Sequence, residues 1–145
     1  MKEIGAGDIV NKTMLALFPY AATTRDVTVR VSVAFLAEQS EPDRGRWFWA
    51  YHIRVENGRD TPVQLLTRRW QITDGRGSVH VVEGEGVVGV QPVIQPGASY
   101  DYVSGCPLAT PTGAMVGSFQ MLGSDGGLFD VQVPRFGLIA PAVSG

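Results

Sequence analysis

The chain has 145 residues, with fourteen acidic against twelve basic side chains and a formal net charge of -2. That length fits one domain burying roughly two thirds of its unfolded surface, and the near-neutral balance supplies no cationic field for nucleic acid or an anionic membrane. The single cysteine, Cys106, excludes an internal disulfide and a zinc site of paired thiolates within one chain, and it suits a reducing cytoplasm.

Residues 1–23 read as an N-terminal extension. Its apolar run, Met14 to Phe18, is too short for a signal core or a membrane span and fits one helical turn. The domain is expected over 24–141, leaving 142–145 as a C-terminal tail. In DVTVRVSVAF, Val27, Val29, Val31, Val33 and Phe35 recur with period two, as a half-buried strand requires. RWFWAYHIRVEN repeats the pattern with Trp47, Trp49, Tyr51, Ile53 and Val55 on one face and His52 and Arg54 opposite. Further strands are expected in PVQLLTRRWQITD, GSVHVV, ASYDYVS, GAMVGSFQML and LFDVQVPRF, each bounded by glycine, proline, asparagine or aspartate. Asn57-Gly58 and Asp74-Gly75 suit hairpin turns or sandwich corners. With no convincing amphipathic helix between the segments, the pattern predicts an all-β chain, an antiparallel β-sandwich of about seven strands.

GEGVVG, Gly84 to Gly89, matches the G-x-G-x-x-G pattern of dinucleotide-binding loops. A Rossmann helix after it would carry Pro92 and Pro96 in its interior, each costing about 3 kcal/mol or more. Asp101 stands near the spacing of a ribose-binding acid, but no helix carries it to a neighbouring strand end. The segment GEGVVGVQPVIQPG therefore reads as a long connection, with Gly84, Gly86 and Gly89 supplying unusual backbone angles or close packing and Pro96-Gly97 turning into the next strand. A phosphate cradle made of loop amides needs no Rossmann helix and stays open as the alternative.

Several stretches together resemble the ApaG family, also called CorD: EQSEP (Glu38 to Pro42), VQLLTRRWQITDGRG (Val63 to Gly77), GEGVVGVQPVIQPG, YVSGCPL (Tyr102 to Leu108), GAMVGSFQM (Gly113 to Met121) and FDVQVPRFGL (Phe129 to Leu138). The resemblance covers roughly residues 22–141. It implies a fibronectin type III-like or immunoglobulin-like sandwich, an association with cobalt and magnesium resistance or efflux, and a setting of protein contacts. It implies no reaction. Many relatives place a histidine between the arginine and tryptophan where this chain has Arg69, and a guanidinium cannot ligate a metal. That departure counts against any metal site built on that histidine here.

The remaining chemistry is sparse. His52 and His80 lie on different strands without zinc-pair spacing, and Asp74, Glu83 and Glu85 read equally well as turn or surface residues, so no metal site is assigned. Ser104, Ser118 and Cys106 have no sequence-evident partnership with either histidine, so no catalytic residue is assigned. Trp47, Phe48 and Trp49 put rings on both faces of one strand, and with Arg68 and Arg69 they form the candidate interaction surface, against the plainer reading of core packing and solvated charge. The expectation is a non-enzymatic, cytoplasmic binding domain without a cofactor, acting on a protein partner in divalent-cation homeostasis. Weak phosphate or divalent-cation contact and homo-oligomerisation stay open.

Overall fold

The computed structural model describes Met14 and residues 17–142. Nine strands run in order as β1 (Tyr20–Thr24), β2 (Val27–Phe35), β3 (Trp47–Asn57), β4 (Val63–Asp74), β5 (Val79–Glu85), β6 (Val93–Ile94), β7 (Ser99–Leu108), β8 (Thr112–Gly123) and β9 (Leu128–Ile139). Two 3-10 turns, Ala37–Gln39 and Pro42–Arg44, occupy the polar loop between β2 and β3. Every ladder is antiparallel. One sheet has the order β1-β2-β3-β7 and the other β5-β4-β8-β9, with β6 paired to the first residues of β4.

The period-two pattern builds the core directly. Val27, Val29 and Val31 of β2 and Trp49, Tyr51, Ile53 and Val55 of β3 turn inward, and Val29 lies opposite Val55 in the ladder. From the second sheet Trp70, Phe119 and Phe136 meet them. Trp70 packs edge-on against Tyr51 at 5.6 Å, Phe119 at 6.2 Å and Phe136 at 5.9 Å between ring centroids. Such contacts add about 0.5–1.5 kcal/mol each beyond the area they bury. On the outer face of the first sheet, polar positions form a ladder of ion pairs and hydrogen bonds. Arg30 and Arg54 both reach Glu56, at 2.9 and 3.1 Å, while Asp101 takes Arg54 at 3.0 Å and His52 at 2.8 Å. Asp101 is thus a cross-strand partner rather than a nucleotide ligand.

The sandwich has nine strands where the periodicity predicts about seven. The additions are β1 and β6. In β1, YAATT has no residue buried outright, so it carries no apolar alternation, and its turn into β2 uses Arg25 and Asp26 at φ 47° and 66° with no glycine to mark it. Tyr20–Thr23, placed in the extension by the sequence, therefore pair with β2. The extension also packs closer than expected. Phe18 donates its amide to the Met14 carbonyl at 2.7 Å, is 5 % exposed, and sets its ring edge-on to His52 at 4.9 Å. Residues 1–13, 15, 16 and 143–145 lie outside the described residues.

The two expected turns differ in kind. Asp74 caps a β4–β5 hairpin, its Oδ1 accepting from the amides of Arg76 at 2.9 Å and Ser78 at 3.0 Å. Asn57 instead ends β3 at the corner where the chain changes sheets. It is 1 % exposed, and its amide group donates to the carbonyls of Thr61 and Ile94, both at 2.9 Å.

The sandwich has one closed and one open side. Where β1 approaches β9, Thr24 Oγ1 accepts from the Gln132 amide at 3.1 Å and the Tyr20 hydroxyl accepts from the Gly137 amide at 3.5 Å. On the opposite side, among the described residues, β5 pairs only with β4, and β7 only with β3.

Candidate functional site

The glycine-rich segment is built into the sheet edge. β5 runs to Glu85, so Gly84 lies within a strand rather than in the connection, opposite Arg68 of β4. β4 carries a register shift between Leu65 and Thr67 where the edge passes from β5 to β6. The segment spans that irregularity. Gly86 donates its amide to the Leu66 carbonyl at 2.7 Å, Leu65 donates to the Pro92 carbonyl at 3.0 Å, and the Gln91 side chain also donates to Leu66 at 2.9 Å. Val87 and Val90 exchange amide-to-carbonyl bonds of 2.8 and 3.1 Å around a turn with Val88 at φ 48° and Gly89 at φ 79°. Val87 is fully buried, which fixes the segment in the core. Gly86 has φ 64°, and a Cβ there would collide with the Val90 carbonyl oxygen. Gly84 has no left-handed φ; a Cβ on it would stand 2.8 Å from the Arg68 guanidinium.

Arg68 and Arg69 separate onto opposite faces, as strand alternation demands. Arg69 is exposed on the outer face and pairs with Glu83 at 3.0 Å, beside a polar hollow of about 440 Å³ that also takes in Ser118, Gln120 and Asp130. Arg68 turns inward, in register two residues before buried Trp70. Its Nη1 donates to the carbonyls of Glu85 and Gly86, both at 3.0 Å. Among the described residues it pairs with no carboxylate.

Arg68 stands in the open side of the sandwich, where two chambers meet. The smaller, about 300 Å³, is lined by Tyr51, Arg68, Trp70, Tyr102, Ser104 and the Val87–Gly89 turn. The larger, about 430 Å³, shares Tyr51, Arg68, Trp70 and Ser104 and continues along Ile72, Val82, Leu108 and Met115. The sequence assigns Tyr51, Tyr102 and Ser104 to no site, because they sit on the inward face of β3 and β7. The one available signal is a hydroxyl recurring at inward positions.

The aromatic triplet divides differently from the surface expected of it. Trp49 is 1 % exposed and packs edge-on against Phe35 at 5.5 Å, so it belongs to the core and leaves the candidate interaction surface. Trp47 is half-buried and packs against the core on the same face. Phe48, on the outer face, covers Gly105 of β7, where an added Cβ would stand 2.5 Å from the ring. The ring takes the space a side chain would need.

Comparison with known proteins fixes the family. The model for the ApaG domain matches residues 37–123. The chain is 50 % identical over 122 residues to Protein ApaG of Brucella suis biovar 1, covering 84 % of this chain and 94 % of that protein. The chain belongs to the ApaG family. ApaG of Rhodospirillum centenum is 49 % identical with the same coverage. A crystal structure described as ApaA from Bordetella pertussis superposes with a TM-score of 0.78 at 42 % identity, covering 81 % of this chain and 96 % of that one.

In this ApaG chain the acids, histidines and cysteine of the described residues are spread over both sheets. Among the described residues, no group of three or more His, Cys, Asp or Glu side chains gathers to hold a metal ion. His52 lies on the outer face of the first sheet, whereas His80 of β5 lines the larger chamber together with Ser104 and Cys106. No hydrogen bond joins His80 to either of them among the described residues. The Cys106 thiol is 3 % exposed, and burial pushes its pKa up to about 11, which keeps it protonated near neutrality. Ser118 lines the outer hollow, away from both histidines. No helix among the described residues is long and apolar enough to cross a membrane.

Proposed function

We propose that this ApaG domain is a non-enzymatic binding module that captures an extended segment of a partner protein along the free edge of β5. The carrying observation is the exposure of that strand: among the described residues it pairs along its length with β4 alone, and Val79, Val81 and Val82 are 52 %, 50 % and 41 % exposed. An unpaired strand offers a row of main-chain donors and acceptors, and an added strand satisfies them while its side chains cover the valines. The proposal places the protein in the cytoplasm and links it to cobalt and magnesium homeostasis through the partner, without a metal ion or cofactor of its own. The scattered positions of His52 and His80 support that indirect link. Self-association through the same edge is the competing occupant, and sedimentation of the purified protein tests it.

The test is affinity capture with the parent and with a Val79→Lys, Val81→Lys double variant. Both positions face solvent, so the variant is expected to keep its melting temperature and lose a protein that the parent retains. Equal retention by both contradicts the reading.

Phosphate or nucleotide sensing by the glycine segment is the other reading, and the bonding of that segment weighs against it. The amides of Gly86, Val87 and Val90 donate within the fold, and the carbonyls of Glu85 and Gly86 point to Arg68. Calorimetry with pyrophosphate and ATP is expected to show no saturable heat.

A further inference from the structure

The cleft behind β5 combines a charged end and an apolar end. At the charged end Arg68 is half-buried, holds two main-chain carbonyls through Nη1, and pairs with no carboxylate among the described residues. A guanidinium in that setting favours an anion, because the two carbonyls on Nη1 satisfy part of its five donors and leave its charge without an opposite partner. Three hydroxyls line the same chamber: Tyr51 at 6 % exposure, Tyr102 at 8 %, and Ser104. The Tyr102 hydroxyl is buried and has no hydrogen-bond partner among the described residues, so it is a donor awaiting an acceptor. Both phenols stay protonated near neutrality. Burial raises the pKa of Tyr102, with the neighbouring Tyr51 adding to the rise and Arg68 opposing it. Burial also raises Tyr51, against the Ser104 hydroxyl and the Arg68 charge. The remaining acid on the wall, Glu85, is exposed.

At the apolar end Trp70, Ile72, Val82, Cys106, Leu108 and Met115 line a chamber of about 430 Å³ that opens onto the same Arg68. Both chambers lie within the ordinary size range of small-molecule sites, which pair apolar walls with a few convergent polar groups.

We propose that this cleft binds a small carboxylic acid with an apolar body, its carboxylate on Arg68 and the Tyr102 hydroxyl and its hydrocarbon against Trp70, Val82 and Leu108. The carboxylate supplies the charge that Arg68 lacks and the acceptor that Tyr102 lacks. The body packs on the inner face of β5, so occupancy braces the strand whose outer edge is free. The site thereby goes beyond partner capture, and its test needs no partner.

Octanoate serves as the probe in a two-dimensional amide NMR titration, with octan-1-ol carrying the chain alone and acetate the head alone. Octanoate is expected to shift the amides of Gly84, Tyr102 and Ser104 saturably, about tenfold or more tightly than octan-1-ol or acetate. Arg68→Met is expected to erase the difference between octanoate and octan-1-ol. Because Arg68 also holds the glycine segment, Tyr102→Phe is the second variant: it removes one oxygen from a core ring and is expected to weaken octanoate several-fold without changing octan-1-ol. Absent octanoate shifts, equal binding of octanoate and octan-1-ol by the parent, or unchanged octanoate affinity in Tyr102→Phe overturns the proposal.

Discussion

Gly84, Gly86 and Gly89 share one short motif, yet each has a different physical task, and alanine at each should fail differently. Gly86 combines φ 64° with a collision between any Cβ and the Val90 carbonyl, so Gly86→Ala is expected to cost about 2 kcal/mol or more of stability in chemical denaturation. Gly89 has φ 79° and open space around it, so alanine there costs only the backbone strain, about 1 kcal/mol. The nearest atoms to a Cβ at Gly84 are the end of the Arg68 side chain, which can shift. The fold should survive with a displaced guanidinium, seen as a moved Arg68 side-chain resonance. Equal losses at all three positions would contradict this division. At Cys106 the sign of the pH effect follows from burial. Its thiol titrates near 9.0 when unfolded and at about 11 in the fold, so the folded state holds the proton longer. Its stabilising share is complete below pH 9 and is lost as pH rises toward 11, an effect on the order of 2–3 kcal/mol. Denaturation midpoints across that range, compared with Cys106→Ala, read the slope directly; parallel slopes would contradict the assignment.

Elements differ in how plainly the sequence announces them. β2 and β3 are legible because one face of each is buried along most of its length, which writes alternation into the residues. β1 is illegible because it covers the sandwich edge with Tyr20 and threonines instead of filling the core, and its turn uses Arg25 and Asp26 in glycine-like angles. β6 is two residues long, below any period, and only its ladder to Val63 and Gln64 defines it. β5 is legible as a strand from its valines, but nothing in VHVVEGE says that neither face is covered. That exposure has a dynamic consequence. β5 should exchange its amide hydrogens orders of magnitude faster than β3 or β8, each of which is paired on both sides. Hydrogen exchange read by mass spectrometry checks this, and equal protection in β5 and β3 would mean that the edge is covered.

At the scale of the whole molecule, two sheets packed face to face leave four strand edges, and this chain treats them unequally. The β1 and β9 edges face each other and exchange side-chain hydrogen bonds through Thr24 and Tyr20. The β5 and β7 edges flank the cleft at Arg68. The sequence singles out part of that cleft's lining, because RRW contains Arg68 and GEGVVG contains the segment it holds. It cannot assign them to one cleft, since the carbonyl contacts depend on how β5 and β6 divide the edge of β4. It also misplaces Trp49, whose size suits a core and a recognition surface equally well. Strand addition at β5 is the central functional claim, and site-specific photo-crosslinking in cell extract tests it most directly. A benzophenone side chain at Val81 is compared with one at Ile139, which is 67 % exposed on the closed side. The account predicts one discrete crosslinked protein from position 81 and none from position 139. The same crosslinks from both positions, or none from position 81, would contradict it.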